Sequence, residues 1–251
     1  GVEAPLATDL LGVLQLGPAG WEQLEDALSG LSPDDAGEEI LPFEPRSFRD
    51  FMLYEDHVID ASRGYTKRFM PAAHKLATTI EKLTGKPFAK FKPNALWYNQ
   101  PIYYLSNHLN FLISRHEAPW PSHTRALDYE LELGAILSRP LLNGSVDEAR
   151  EAIGGFVVLN DFSARDVQMA EMNSGFGPQR AKHVDSARSA IAVTADEVLP
   201  MMDSLTGSVR INGERVAQCS SADSQFSLAE AIAFVSRDEQ LHPGELCGSG
   251  T

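Results

Sequence analysis

Two glutamates stand two residues apart in "DYELELG" (128–134), inside a run that alternates like a β-strand. Residues i and i+2 of a strand project to one face, so Glu130 and Glu132 point together while Leu131 and Leu133 point away. A strand with one wet face explains that pattern, and so does a metal ion held between two carboxylates. A second stretch bears on the choice. "GGFVVLNDFSARDVQ" (154–168) is an apolar run that reaches Asn160 and Asp161 where burial should end. Three carboxylates on neighbouring strands repel one another unless a cation sits between them. Carboxylate oxygens suit hard cations, so Mg²⁺ or Mn²⁺, with Ca²⁺ as a further option, is expected ahead of Zn²⁺. No His-x-x-x-His or Cys-x-x-Cys spacing offers a rival.

Other residues could serve such a centre. Arg165 and Gln168 share a face if the chain turns helical at Ser163. Arg165 could clamp a substrate carboxylate or brace a ligand, or it could pair with Asp166 or Glu171. Lys182 follows the Gly-rich "SGFGPQRAKH", which lacks the Gly-Lys-Ser/Thr ending of a phosphate loop. Its ammonium is either solvated or set against an oxyanion. His57 and Asp60 are i and i+3 in a helical reading, and a carboxylate can hold an imidazole in its proton-accepting tautomer. A surface pair is the plain alternative. The remaining histidines show no ligand spacing, and no Gly-x-Ser-x-Gly elbow supports a serine nucleophile.

The elements that must place these residues read as follows. "GWEQLEDALSGL" (20–31) is an amphipathic helix in a small N-terminal unit (residues 1–45), followed by an acidic, Pro-containing linker. "SFRDFMLYEDHVIDAS" (47–62) reads as a helix capped by Ser47, with Asp50 three residues on. Residues 63–95 are rich in Lys and Arg and read as a solvated insertion, a lid or an oligomer contact. Within them "PAAHKLATTIEKLTG" is helical and ends on Gly85. Beyond that, strands dominate: "IYYLS", "DYELELGAIL", "GGFVVLND", "AIAVT" and an Asn-Gly hairpin at "INGERV". Ser145 and Ser227 are N-caps of two short helices. Many short strands with few helices predict a β-rich α+β roll or barrel rather than a doubly wound sheet.

Composition sets the outer limits. The chain has 251 residues, enough for one large domain or a domain with a small companion. Its formal net charge of −14 argues against nucleic-acid binding, which needs a basic footprint. No window supplies the apolar run of roughly 18 residues that a membrane span needs, and "GVEAPLATDLLGVLQLG" lacks the basic flank of a secretory signal. Two cysteines are too few for a disulfide scaffold, so a reducing, cytoplasmic setting is expected. The chain starts at Gly1 and stops at "CGSGT" in mid-motif, which suggests a fragment or disordered ends.

In sequence, "DYELELG", "GGFVVLNDFSARDVQ", "GFGPQRAKH" and "LHPGELCGSGT" resemble the fumarylacetoacetate hydrolase family over about residues 47–251, and within it the acylpyruvase- and oxaloacetase-like branch. The resemblance implies a β-roll with flanking helices as the catalytic domain (46–251), an insertion or lid at 63–95, and a homodimer. It implies a divalent cation on Glu130, Glu132 and Asp161. Asp50 matches a fourth carboxylate of fumarylacetoacetase proper and could be a ligand, a group bracing the ligands or a helix-start residue. His57 matches the general base. Its partner in the acylpyruvase branch is a Glu, and Asp60 here is one methylene shorter. Lys182 matches the lysine that stabilises developing negative charge. Arg165, Gln168, Tyr104 and Thr251 match substrate-side residues, Met52 replaces a tyrosine of fumarylacetoacetase, and Ser186 stands where Thr is frequent.

The activity so implied is cleavage of a carbon–carbon bond in a short 2-oxo acid, foremost hydrolysis of an acylpyruvate-type diketone. His57 would activate water, and the cation with Lys182 would take up the charge of an enolate. Decarboxylation of oxaloacetate passes through the same enolate without water. Hydration or isomerisation of 2-oxo-enoic acids, or a non-catalytic metal-binding scaffold, are the alternatives.

Overall fold

The apolar runs of the sequence form the middle of one curled, half-barrel sheet. In the computed structural model, which describes residues 7, 9–29, 41 and 43–251, the order is α1 (Leu10–Leu28), β1 (Ser47–Phe51), α2 (Glu55–Phe69), α3 (Pro71–Thr84), β2 (Tyr103–Ser106), β3 (Phe111–Ile113), β4 (Leu127–Asp128), β5 (Leu131–Leu137), α4 (Val146–Ala152), β6 (Ile153–Asp161), β7 (Ser163–Ala164), α5 (Arg165–Asn173), β8 (Ser186–Arg188), β9 (Val193–Thr194), α6 (Ala195–Val198), β10 (Thr206–Ile211), β11 (Glu214–Ser220), α7 (Leu228–Val235) and β12 (Glu245–Gly248). The main sheet runs β2-β1-β12-β5-β6-β8-β3, with β9 also on β6. β1 is parallel to β12 and β3 to β8, while the other pairings are antiparallel. This is the mixed, β-rich α+β roll the sequence predicts.

β5 and β6 sit at the centre because both faces of each are covered. On one face α4 and α7 set Ala149, Ala231, Ile232 and Val235 against Leu137 and Ile153. On the other, Phe48, Phe111, Ile136, Val157, Leu159 and Leu246 pack together with Leu14 of α1. Each fully buried aliphatic contributes about 1.5–3 kcal/mol. Ser145 and Ser227 close reciprocal capping boxes with Glu148 and Glu230, as expected. Asn212 and Gly213, both at positive φ, make the predicted hairpin turn between β10 and β11.

Three local readings are corrected. Residues 47–51 form a buried strand, not the start of a helix, and the helix begins only at Glu55. Ser47 with Asp50 three residues on imitates a helix cap, yet Arg49 and Asp50 are both buried in the strand. Arg49 is neutralised by Glu245 and Glu239 and accepts its place in the core. The N-terminal helix starts ten residues earlier than expected, at Leu10, with Asp9 capping Gly12 N at 2.7 Å and a break at Gly17–Pro18. Leu31 and most of the expected linker lie outside the described residues. Finally, "DYELELGAIL" is two strands rather than one, interrupted at Tyr129–Glu130 where pairing switches from β7 to β6.

That interruption and four registers place the chemistry. Asp50 sits opposite Gly248 on β12 and Tyr104 on β2, Gly248 opposite Gly134 on β5, and Asp161 opposite Ser186 on β8.

Candidate metal centre and active site

Asp161 ends β6 and is fully buried. One carboxylate oxygen each from Asp50, Glu132 and Asp161 lie within 4.8 Å of one another. They come from the ends of three strands, and Gly248 leaves the room between them. A Cβ on Gly248 would stand 2.6 Å from Asp50 Oδ1 and 2.8 Å from Glu132 Oε2. The Glu132 side chain is held by the Gly250 N–H at 3.0 Å, and Ser186 donates its hydroxyl to Asp161 Oδ1 at 3.1 Å.

Tyr104 donates from its single hydroxyl toward both Asp50, at 2.7 Å, and Asp161. One proton cannot satisfy two carboxylates. Among the described residues, Asp50 Oδ1 and Glu132 Oε1 are buried without a hydrogen-bond partner. Burial, and then repulsion from Asp161, pushes the Asp50 carboxyl well above the usual carboxylate range. Burial followed by repulsion from Asp50 and Asp161 does the same to Glu132. The Tyr104 phenol is raised by burial and by Asp50 and Asp161. Buried, crowded with carboxyl groups that repel one another and short of donors, this cluster fits a hard divalent cation.

Glu130 lies outside that trio. Lys182 stands between it and Asp161, with Nζ at 2.6 Å from Glu130 Oε2 and 2.5 Å from Asp161 Oδ2. Arg165 Nη1 takes the other Glu130 oxygen at 2.6 Å, and His57 Nε2 is 3.4 Å from it. Burial opposes the charge on Glu130, yet Lys182, Arg165 and His57 hold its carboxyl well below the usual range. Burial likewise opposes the Lys182 ammonium, and Asp161 and Glu130 outweigh it, raising its pKa above that of a free lysine. Lys182 is thus no solvated loop residue but a buried cation, 3% exposed.

The remaining sequence-named residues divide. Arg165 donates to Asp128 at 2.9 Å, to Glu130 and to Gln168 at 3.1 Å, so it braces Glu130, and Gln168 braces Arg165. Arg165 pairs with neither Asp166 nor Glu171. Asp166 instead accepts from Thr124 and from Arg125 N. His57, on α2, lines a cleft of about 840 Å³ together with Tyr65, Arg165, Cys219 and Thr251. The Thr251 hydroxyl is buried there without a hydrogen-bond partner among the described residues. Asp60 does not reach His57. Its side chain, 72% exposed, pairs with Arg63 at 2.8 Å. Asp50 is the carboxylate that spacing alone did not place, because its strand looked helical. The Glu132-to-Gly248 approach left no trace in the sequence beyond the glycine itself.

The fumarylacetoacetate (FAA) hydrolase C-terminal family matches residues 75–251. A homoprotocatechuate catabolism bifunctional isomerase/decarboxylase of Escherichia coli is 25% identical over 250 residues, which cover 91% of this chain and 56% of that protein. The mitochondrial oxaloacetate tautomerase FAHD1 of Homo sapiens is 28% identical over 131 residues, 52% of this chain and 59% of its own length. Among solved structures, Cg1458 with inhibitor superposes with a TM-score of 0.63 at 20% identity, covering 84% of this chain and 68% of that one. The last is a likeness of fold. The chain spans about half the length of the curated relatives it matches.

Proposed function

The chain belongs to the fumarylacetoacetate hydrolase family, and from that premise we propose that it is a divalent-metal-dependent enzyme acting on a short 2-oxo acid through its enol form, with tautomerisation or decarboxylation of an oxaloacetate-class substrate ahead of hydrolysis. One observation carries the reading: Asp50, Glu132 and Asp161 converge with two unpartnered oxygens, directly beside a buried lysine. Asp50, Glu132 and Asp161 would hold the cation, with Glu130 turned to Lys182 and Arg165 beside them. Mg²⁺ or Mn²⁺ suits such a set of carboxylates. Bound there, the ion supplies a Lewis acid for the keto oxygen of the substrate.

The chain's own groups supply the rest. Lys182 keeps a full positive charge against Glu130 and Asp161 and adds it where negative charge develops on the substrate oxygen. Arg165 and Gln168 fix Glu130 in place. His57, on the cleft wall, is the group that takes a proton from the carbon next to the keto group and returns it. The Thr251 hydroxyl, buried at the cleft wall without a partner among the described residues, would donate to the substrate carboxylate.

The preference for chemistry without water rests on Asp60. Hydrolysis needs His57 to activate a water, with a carboxylate fixing its tautomer, and Asp60 is turned to Arg63 instead. Two relatives named as an isomerase/decarboxylase and an oxaloacetate tautomerase support the same choice. Hydrolysis of an acylpyruvate remains the second reading, favoured by His57 itself lining the cleft. We take residues 46–251 as the catalytic unit with residues 1–45 as an N-terminal appendage; a homodimer and a cytoplasmic setting belong to the same proposal. Among the described residues no helix is long and apolar enough to cross a membrane.

The test offers oxaloacetate, acetylpyruvate and fumarylpyruvate to the protein with Mg²⁺ or Mn²⁺ and with EDTA. Enol–keto exchange, CO₂ release and diketone cleavage are followed separately. Metal-dependent turnover of oxaloacetate is expected. Turnover that survives EDTA, or none on any 2-oxo acid, ends the reading.

A further inference from the structure

Lys182 reaches the carboxylates from an irregular segment, and something has to hold its backbone still. Glu171, on the second turn of α5, does so through main-chain amides alone. Its carboxylate accepts from Gln179 N at 2.8 Å, Arg180 N at 2.9 Å and Ala181 N at 3.1 Å. Successive N–H groups closing on one anion form a nest, a compact backbone conformation that the anion stabilises. The turn is then completed from within: Lys182 N and His183 N both donate to Gln179 O, at 3.1 and 3.0 Å. From the far side Ala164 N donates to Ala181 O at 2.9 Å, tying the segment to β7.

α5 therefore contacts the cluster at both ends. Arg165, its first residue, grips Glu130, and Glu171, near its end, fixes the peptide that carries Lys182. Glu130 and Lys182 are themselves bonded at 2.6 Å. The helix acts as a spacer, setting how far the lysine's main chain stands from the carboxylate its ammonium must reach.

We propose that Glu171 is a positioning residue for catalysis: it holds residues 179–181 in the nest that aims Lys182 between Glu130 and Asp161. The consequence for turnover rests on the function proposed above, while the placement of Lys182 does not. A carboxylate presents enough lone pairs for three donors. Alanine removes them all, and glutamine keeps one oxygen, so it restores part of the nest.

The experiment compares wild type, Glu171→Ala and Glu171→Gln as full chains. With EDTA present, amide hydrogen exchange is read at residues 179–181, and acylation of Lys182 by an N-hydroxysuccinimide ester is read by peptide mass spectrometry. In Glu171→Ala, exchange at 179–181 is expected to rise about tenfold or more while β5 and β6 stay protected, and Lys182 becomes reactive. Glu171→Gln falls in between. With Mg²⁺, kcat of Glu171→Ala on oxaloacetate drops about tenfold or more with KM little changed. Unchanged exchange and unchanged Lys182 reactivity in Glu171→Ala overturn the proposal, as does an unaltered kcat in a variant whose exchange has risen. A wild type inactive on every 2-oxo acid would remove the function instead, and the exchange and labelling arms still decide the placement.

Discussion

Lys182 Nζ lies 2.5 Å from Asp161 Oδ2, with both side chains cut off from water. A lysine from an irregular loop and an aspartate from a strand end, 21 residues apart, make the tightest charged contact of the candidate site. The ammonium is the cation nearest to a cluster of four carboxylates and compensates only part of its charge.

Removing that ammonium should be costly. Lys182→Met leaves Glu130 and Asp161 facing each other, and breaking a buried pair from one side costs about 3–5 kcal/mol. Urea unfolding of the EDTA-treated variant is expected to show that loss, and Mg²⁺ or Mn²⁺ to restore part of it. Activity should fall about a hundredfold or more even when the metal is bound. A variant as stable as wild type in EDTA would mean the pair contributes nothing.

The pH dependence has a definite sign. Asp50 and Glu132 are held well above the usual range, so the folded protein binds more protons than the unfolded chain above about pH 4. Stability without metal is therefore fully present near that pH and declines as pH rises, by at most about 1.4 kcal/mol per pH unit for each group. Unfolding curves from pH 5 to 8 in EDTA should show the decline, and saturating Mg²⁺ or Mn²⁺ should flatten it. Glu132→Gln should lose part of the slope. A metal-free protein whose stability is flat or rises over that range contradicts the charge assignment.

Gly248 has no side chain because the site has no room for one. Gly248→Ala places a methyl within 2.6 Å of Asp50 Oδ1 and 2.8 Å of Glu132 Oε2. The strand can accept alanine, so circular dichroism should show an intact fold. Titration calorimetry should show divalent binding weakened by about tenfold or more, comparable to losing a ligand-supporting contact. Wild-type metal affinity in this variant would move the cation elsewhere.

His57 and Asp60 should separate kinetically. Asp60 is solvent-facing and paired with Arg63, and exposed pairs contribute little. Asp60→Ala is expected to keep activity within about threefold, whereas His57→Ala loses about a hundredfold or more and still binds metal. Equal losses in steady-state assays would show that α2 rearranges in turnover to bring the two together, and would restore the hydrolytic reading.

Much of this was legible in the residues themselves. Asp161 followed from an apolar run ending in Asn-Asp, Glu132 from its alternation with Leu131 and Leu133, and the capped helices from Ser145 and Ser227. Asp50 was harder to read. Its strand carries Arg49 and Asp50 among apolar neighbours, and charged residues read as solvent-facing until the partners that bury them, Glu245 and Tyr104, are known. Glu171 was named only as an alternative partner for Arg165, because acceptance from three backbone amides has no side-chain signature.

By its own order of residue types the sequence determined the family, the β-rich roll and the carboxylates that could gather around a cation. Those depend on local pattern: alternation, strand ends and motif order survive without coordinates. Tertiary structure alone decided how the carboxylates are shared out. Glu130 and Glu132 leave the same strand motif, yet a change of pairing partner between β4 and β5 gives Glu130 to Lys182 and Arg165, and Glu132 to Asp50 and Asp161. Electrostatics acts through distance and burial, and both are set by strand register between residues far apart in the chain.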